Sequence, residues 1–365
     1  MKHEDSVLLH TEGRLRHIML NRPRALNALN HAMVLQMGKA LDAAERDASV
    51  VAVLLTGAGE RGLCAGGDIR SIRDDALAGG GTSLDFWRDE YRLNARIARF
   101  PKPYVALMDG IVMGGGVGVS AHGSLRIVTE RSRIAMPETG IGFVPDVGGT
   151  YLLGAAPGEL GTHLALTGDA IGADDALACG LADHFVPSGD VPALIAALDT
   201  CTTPEAVVGT AERFAGTAPS GELTGHRDWI DACYAADTVE EIIERLDGSG
   251  VPAAKQAMTT ILAKSPTALK VTLAAIRRAR HLDSLEAVLD QEFRVSSAAF
   301  AWPDLVEGVR AQIVDKDRNP RWSPAELEEV TDEEVARHFA PLGDGELGLG
   351  RGLAPGVGPG TAVTG

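Results

Sequence analysis

Short apolar runs and stretches of helical spacing alternate along the first two-thirds of the chain, joined by glycine-rich loops. The runs "HIMLNRP" and "VVAVLLTG" end in turn residues, which predicts strands. Between them Met33, Val34, Met37, Leu41 and Ala44 recur at helical spacing, which predicts an amphipathic helix over 29–48. A loop, "GAGERGLCAGGDIRSIRDD", then precedes a helix over 84–99 and the strand "KPYVALMDG". "IVMGGGVGVSAHGS" turns through glycine into a buried helix, and "LRIVTE" is a further strand. This strand–helix alternation predicts an α/β architecture. From about residue 158 the pattern becomes mostly helical. The expected division is an α/β core carrying the active site over 1–200, a helical region over 201–341, and a disordered Gly-rich tail over 342–365. Ser323 with Glu326, and Thr331 with Glu334, have the spacing of capping boxes at helix starts.

A formal charge of −16 disfavours binding to nucleic acid or to anionic membranes. An anionic ligand remains compatible with it, since that needs only a local basic rim. No apolar run reaches the ~18 residues of a membrane span. The start, "MKHEDSVLLH", resembles neither a secretory signal nor a transit peptide. Cys64, Cys179, Cys201 and Cys233 are scattered without CxxC spacing, which speaks against a disulfide scaffold and a zinc site. A reducing, cytoplasmic setting is the expectation. No HxxxH or EF-type loop appears, so no metal is expected.

The stretch "AMPETGIGFVPDVGG" holds Glu138 and Asp146 in an uncharged, turn-rich setting. They are either an acid/base pair or two solvated loop carboxylates. "GGG" at 114–116 lies between a strand-like and a helix-like run, where unpaired N–H groups suit a developing oxyanion. The "AGGD" loop at 65–68 could supply a second donor. "GVSAHG" imitates a nucleophile elbow, but His122 stands where the final glycine belongs and Ser120 falls inside the helix. Cys64 is expected as a small buried residue, Asp68 as a helix N-cap, Arg22 as a surface charge, and His122 and His184 as structural.

The segments "RALNALN", "LCAGGDIR", "KPYVALMDGIVMGGGVGVS" and "AMPETGIGFVPDVGG" together resemble the crotonase superfamily in order and spacing. The resemblance runs from roughly residue 5 to 341. "DEY", "SPTALK" and "EGVRAQIVDKDRNPRW" narrow it to a subfamily that hydrolyses 3-hydroxyacyl-CoA thioesters in valine breakdown. The resemblance implies a spiral of β-β-α units followed by a C-terminal helical region. It places an oxyanion hole on the N–H groups of Gly67 and Gly115, and catalytic acids on Glu138 and Asp146. Glu90 becomes a contact to the substrate's hydroxyl. Arg24, with the backbone of Ala25 and Leu26, would lie near the nucleotide of coenzyme A. Coenzyme A is then part of an acyl-CoA substrate, with no bound cofactor, and superfamily members commonly form homo-oligomers. Hydratases of the superfamily carry a first glutamate where this chain has Gly118, which argues against hydration. The alternatives are another hydratase/isomerase reaction and a non-catalytic acyl-CoA-binding protein.

Overall fold

Strand β1 (Val7–Glu12) pairs antiparallel with β2 (Leu15–Leu20) at one edge of the larger sheet. These coordinates are a computed structural model that describes residues 5–350. Helix α1 (His31–Arg46) returns the chain to β3 (Ala52–Gly57), parallel to β2. It starts where the Asn30 side chain accepts from the Met33 N–H, and it buries the five apolar residues whose spacing predicts it. Next come α2 (Ile69–Leu77), α3 (Thr82–Ala98), β4 (Tyr104–Met108) and β5 (Ile111–Met113). Helix α4 (Gly115–Ser120) is buried along its whole length, and β6 (Leu125–Val128) and β7 (Arg133–Ala135) follow it. Helices α5 (Gly149–Gly154), α6 (Leu160–Thr167) and α7 (Ala173–Ala178) lead to β8 (His184–Phe185).

The six-stranded sheet has the order β1-β2-β3-β4-β6-β8, parallel except for its first pair, and β5 with β7 forms a separate parallel ribbon. The α/β class expected from the alternation is the class observed. Helices α8 (Val191–Asp199) and α9 (Pro204–Phe214) bring Leu194, Leu198 and Val207 onto Leu54, Val105 and Ile127 of one sheet face.

The remaining helices are α10 (Arg227–Tyr234), α11 (Val239–Gly248), α12 (Pro252–Leu262), α13 (Pro266–Ala279), α14 (Leu285–Phe300), α15 (Pro303–Val309) and α16 (Asp332–Arg337). They do not stand apart from the core. Leu289 and Phe293 of α14 share one apolar cluster with Trp87 and Tyr91 of α3.

Two local expectations need correction. Thr331 and Glu334 form their capping box, but the upstream box is made by Glu326 and Glu329. Ser323 instead donates its N–H to Asp304, which removes it from the cap. The tail from 342 is ordered as far as 350: Glu346 accepts from Arg294, the Arg88 guanidinium donates to the carbonyls of Gly345 and Glu346, and Gly350 donates to Asp290. One ion pair and several hydrogen bonds hold these residues where composition alone suggested no order. Residues 351–365, also expected as disordered tail, lie outside the described residues.

Glu292 of α14 accepts from the N–H of Gly148 at 2.6 Å, the N–H of Thr150 at 2.9 Å and the Thr150 hydroxyl at 2.6 Å. It thus supplies an acceptor at the start of α5, where helix geometry leaves N–H groups unpaired. Replacing Glu292 by Ala strands three buried donors, and the expected cost is about 3–5 kcal/mol. This would appear as a lower urea midpoint, and Glu292→Gln should recover part of it.

Candidate active site

The two glycine loops run side by side because their backbones are hydrogen-bonded. Cys64 N–H donates to the Ile111 carbonyl at 3.1 Å, and Met113 N–H donates to the Cys64 carbonyl at 3.0 Å. Gly114 then takes a positive φ of 49°, and a Cβ on it would lie 2.7 Å from Glu138 Oε1. Only glycine serves at that place. A Cβ on Gly115 would lie 2.7 Å from Glu90 Oε1 and 3.4 Å from the Gly67 nitrogen. The amides of Gly67 and Gly115 are therefore neighbours. Among the described residues, neither donates to any acceptor.

Both loops border a cavity of about 370 Å³. Its apolar wall includes Phe86, Val147, Leu305 and Trp87, and Trp87 stacks on Phe143 at 5.1 Å. Into it come Glu90 from α3, Glu138 from the short 3-10 turn Glu138–Ile141, and Asp146 from the turn before α5. All three are buried. Glu90 Oε1 and Glu138 Oε2 have no hydrogen-bond partner among the described residues. Asp146 Oδ2 accepts from the Tyr91 hydroxyl at 2.7 Å. After Asp146, Val147 has a φ of 54°, a left-handed conformation costly for a β-branched residue.

Burial pushes the Glu90 carboxyl well above the usual carboxylate range, and the charge of Asp146 adds to it. Glu138 is raised by the same two causes, with a smaller contribution from Glu292. Asp146 is also raised by burial, although the Tyr91 hydrogen bond pulls the other way. In the empty cavity Glu90 and Glu138 are accordingly held in their neutral forms.

The sequence candidates separate cleanly. Glu138, Asp146, Glu90, Gly67 and Gly115 meet in the cavity. Arg24 and Ala25 lie exposed on the turn Pro23–Ala25, and neither they nor Leu26 line it. The backbone of that turn is engaged within the protein: Ala25 N–H donates to Arg22, Leu26 N–H to Pro23, and the Leu26 carbonyl accepts from Ala65. Asp68 precedes α2 as expected, yet its carboxylate makes no cap and instead pairs with Arg22 at 2.9 Å. Arg22 is therefore a tie between the loops rather than a free surface charge. Ser120 donates back to the Gly116 carbonyl, and His122 binds the Val147 carbonyl, so no hydrolase triad forms. Burial raises the Cys64 thiol to about 12, which leaves it unreactive.

Sequence reasoning missed Tyr91, Asn94, Lys264 and Gln312. Asn94 is fully buried with neither amide atom hydrogen-bonded among the described residues. Lys264 and Gln312 line the cavity. Gln312 lies on a π-helical turn, Arg310–Val314, within "EGVRAQIVDKDRNPRW". The three motifs quoted as subfamily marks were the available signal, since all of them contribute to this region. Among the described residues no group of three or more His, Cys, Asp or Glu could hold a metal ion, and no helix is long and apolar enough to cross a membrane.

Three buried acids and two unpaired backbone amides thus line one cavity, the arrangement of an enzyme site. The chain belongs to the enoyl-CoA hydratase/isomerase family, whose model matches residues 15–339. It is 42% identical to the mitochondrial 3-hydroxyisobutyryl-CoA hydrolase of Gallus gallus over 358 residues, covering 95% of this chain and 93% of that one. The protein of the same name from Rattus norvegicus is 43% identical, with 95% and 92% covered. Among solved structures, one described as a carnitinyl-CoA dehydratase from Mycobacterium thermoresistibile is 51% identical, with a TM-score of 0.91, covering 95% of this chain and 100% of that one. One described as an enoyl-CoA hydratase from Rhodobacter sphaeroides 2.4.1 is 44% identical, with a TM-score of 0.88, covering 94% and 99%. The crotonase-like fold expected from the sequence is thus the fold found.

The cytoplasmic expectation is corrected by these comparisons, because the hydrolase relatives are named as mitochondrial. The cysteine argument indicates a reducing environment and does not distinguish one such compartment from another.

The neutral forms of Glu90 and Glu138 carry a pH signature. Each ionises near 4.5 when exposed and far higher in the folded chain. Their stabilising contribution is present below that value and is lost as pH rises toward the folded-state pKa. Glu138→Gln is expected to melt higher than the parent at about pH 8, with the gap closing near pH 4.5. The gap grows by about 1.4 kcal/mol for each pH unit between the two pKa values. Thermal melts of both proteins across that range test it, and a gap independent of pH would contradict it.

Proposed function

We propose that the protein hydrolyses the thioester of 3-hydroxyisobutyryl-CoA, or of a close 3-hydroxyacyl-CoA, to the free hydroxy acid and the CoA thiol. One observation carries this reading. The unpaired amides of Gly67 and Gly115 face a cavity in which Glu138 leaves an oxygen free and Asp146 stands beside it. Coenzyme A enters as part of the substrate.

In this reading the thioester oxygen lies between the two amides, which stabilise the negative charge that develops there. Glu138, in its ionised form, takes a proton from water as the water oxygen bonds to the carbonyl carbon. The C–S bond then breaks, and Glu138 returns the proton to the departing sulfur. A carboxyl that burial holds above the usual carboxylate range is a stronger base once ionised, which suits such a shuttle. Asp146 and Glu90 offer oxygens to the 3-hydroxyl. A polar site of this kind rejects an analogue that lacks the hydroxyl, because its buried groups would be left unpaired.

Hydration of an enoyl-CoA, the reaction for which one similar protein is named, is the second reading. The packing around Gly118 weighs against it. A Cβ there would lie 2.6 Å from the Val147 Cβ and 3.0 Å from Asn94 Nδ2. A second carboxylate at 118 and the turn that presents Asp146 compete for one space.

Thiol release should be measured on 3-hydroxyisobutyryl-CoA, 3-hydroxypropionyl-CoA, isobutyryl-CoA and crotonyl-CoA. Turnover of the two hydroxylated thioesters is expected, with isobutyryl-CoA poorer. Glu138→Gln should lower kcat by about 10²–10⁴-fold. Conversion of crotonyl-CoA to its hydrated product without thiol release would overturn the reading. Gly118→Glu is expected to lose about 1–3 kcal/mol or more of stability to overpacking, and to gain no hydration activity. A stable variant that hydrates crotonyl-CoA would show that the two arrangements can coexist.

A further inference from the structure

The three acids in the cavity are not equivalent. Glu90 and Glu138 each keep a buried oxygen without a partner, whereas Asp146 receives a hydrogen bond from a fully buried phenol. The Tyr91 oxygen also lies 2.7 Å from Ser296 Oγ of α14. Counting protons fixes the direction of both bonds. The Tyr91 hydroxyl donates its single proton to Asp146 Oδ2, which leaves the Ser296 hydroxyl as the donor to Tyr91. Ser296 is unlike its neighbour: Ser297 donates back to the Phe293 carbonyl one turn earlier, the usual local bond for a helical serine. Ser296 instead spends its proton across the helix interface. The Phe293 ring packs edge-on to Tyr91 at 6.1 Å, which holds the phenol in place.

We propose that Tyr91, keyed by Ser296, is the positioning residue of Asp146: it holds Oδ2 and turns the other carboxylate oxygen toward the substrate. The inference rests on the proposed hydrolase chemistry, to which it adds a division of labour among the acids. A donor aimed at a carboxylate favours the charged form. Environments that push neighbouring acids apart in pKa assign them separate roles. Burial and the charge of Asp146 hold the Tyr91 phenol well above its usual pKa, so it stays a donor throughout the working range. The groups that interact with Asp146 are Glu90 and Tyr91 of α3, Glu138 of the 3-10 turn and Glu292 of α14, with Ser296 reaching it only through Tyr91. His122 is held to the adjacent Val147 carbonyl and kept neutral by burial. None of these besides Tyr91 donates a side-chain hydrogen bond to Asp146 among the described residues.

The test uses the full chain in two readouts. The first is a ¹³C-carboxyl NMR titration of Asp146 in the free protein, assigned by the signal lost in Asp146→Asn. Tyr91→Phe should raise its midpoint by about one to two pH units, the worth of a hydrogen bond to a charged group. Ser296→Ala should shift it the same way by less, and it covers the case in which Tyr91→Phe fails to fold. The second readout is steady-state thiol release. In Tyr91→Phe, kcat should fall about 10–100-fold with KM within about threefold, and the acid limb of kcat should move up in pH with the titration. An unshifted midpoint in the variants that fold overturns the proposal, as does a change confined to KM. If the parent releases no thiol from any of the thioesters, the hydrolase reading fails, and the titration still decides what Tyr91 does to Asp146.

Discussion

Three carboxyl groups withdrawn from water into one small cavity are the condition that the surrounding structure must satisfy. An isolated buried carboxylate is too costly to keep, so each acid is either neutralised or given donors. Glu90 and Glu138 are held neutral by burial and by the charge nearby. Asp146 is met by Tyr91, and Glu292 just behind it is met by three donors from the start of α5. The acids come from separate segments, so the arrangement exists only while α3, the 138–149 stretch and α14 stay packed together. Mutual packing of these elements is therefore as much part of the site as the acids themselves.

Space in this region is divided at the scale of single atoms. Gly114 leaves room for the Glu138 carboxyl, and Gly115 leaves room for Glu90. Gly118 leaves room for Val147, the strained residue that follows Asp146. The similar proteins are named for hydrolysis in some cases and for addition or removal of water in others. A steric exchange between position 118 and the Asp146 turn gives a physical basis on which one scaffold could favour one chemistry over another.

The helical region closes the cavity as well as covering the sheet. Leu305 of α15 and Gln312 and Ile313 of the π-helical turn form part of its wall. Arg310 secures that turn through Glu307, Asp315 and Asp317. Ser265 caps α13 and binds Asp304 at 2.6 Å, and Lys264 beside it lines the cavity without an ion pair among the described residues. The late motifs in the sequence thus have a structural reason for lying so far from the acids they serve.

Local regularities made much of the molecule legible in the sequence. Helical spacing of apolar residues gave α1, because burial on one face imprints its period, and short apolar runs gave β2, β3, β4 and β6, of which β3 and β4 are buried on both faces. The turn-rich setting singled out Glu138 and Asp146, and the resemblance to the crotonase superfamily added Glu90, Gly67 and Gly115 to them. The sequence could not give the partners, since a hydrogen bond between Tyr91 and Ser296 joins residues 205 positions apart. Nor could it show that Asp68 would pair with Arg22, that Arg24 would lie outside the cavity, or that an ion pair and hydrogen bonds to Asp290 would hold residues 346–350. The sequence by itself determined which groups the site contains and the elements that carry them. The tertiary structure decided which groups are charged, which are free to meet a substrate and which are tied up elsewhere, because burial and the direction of a single proton depend on neighbours that only folding supplies.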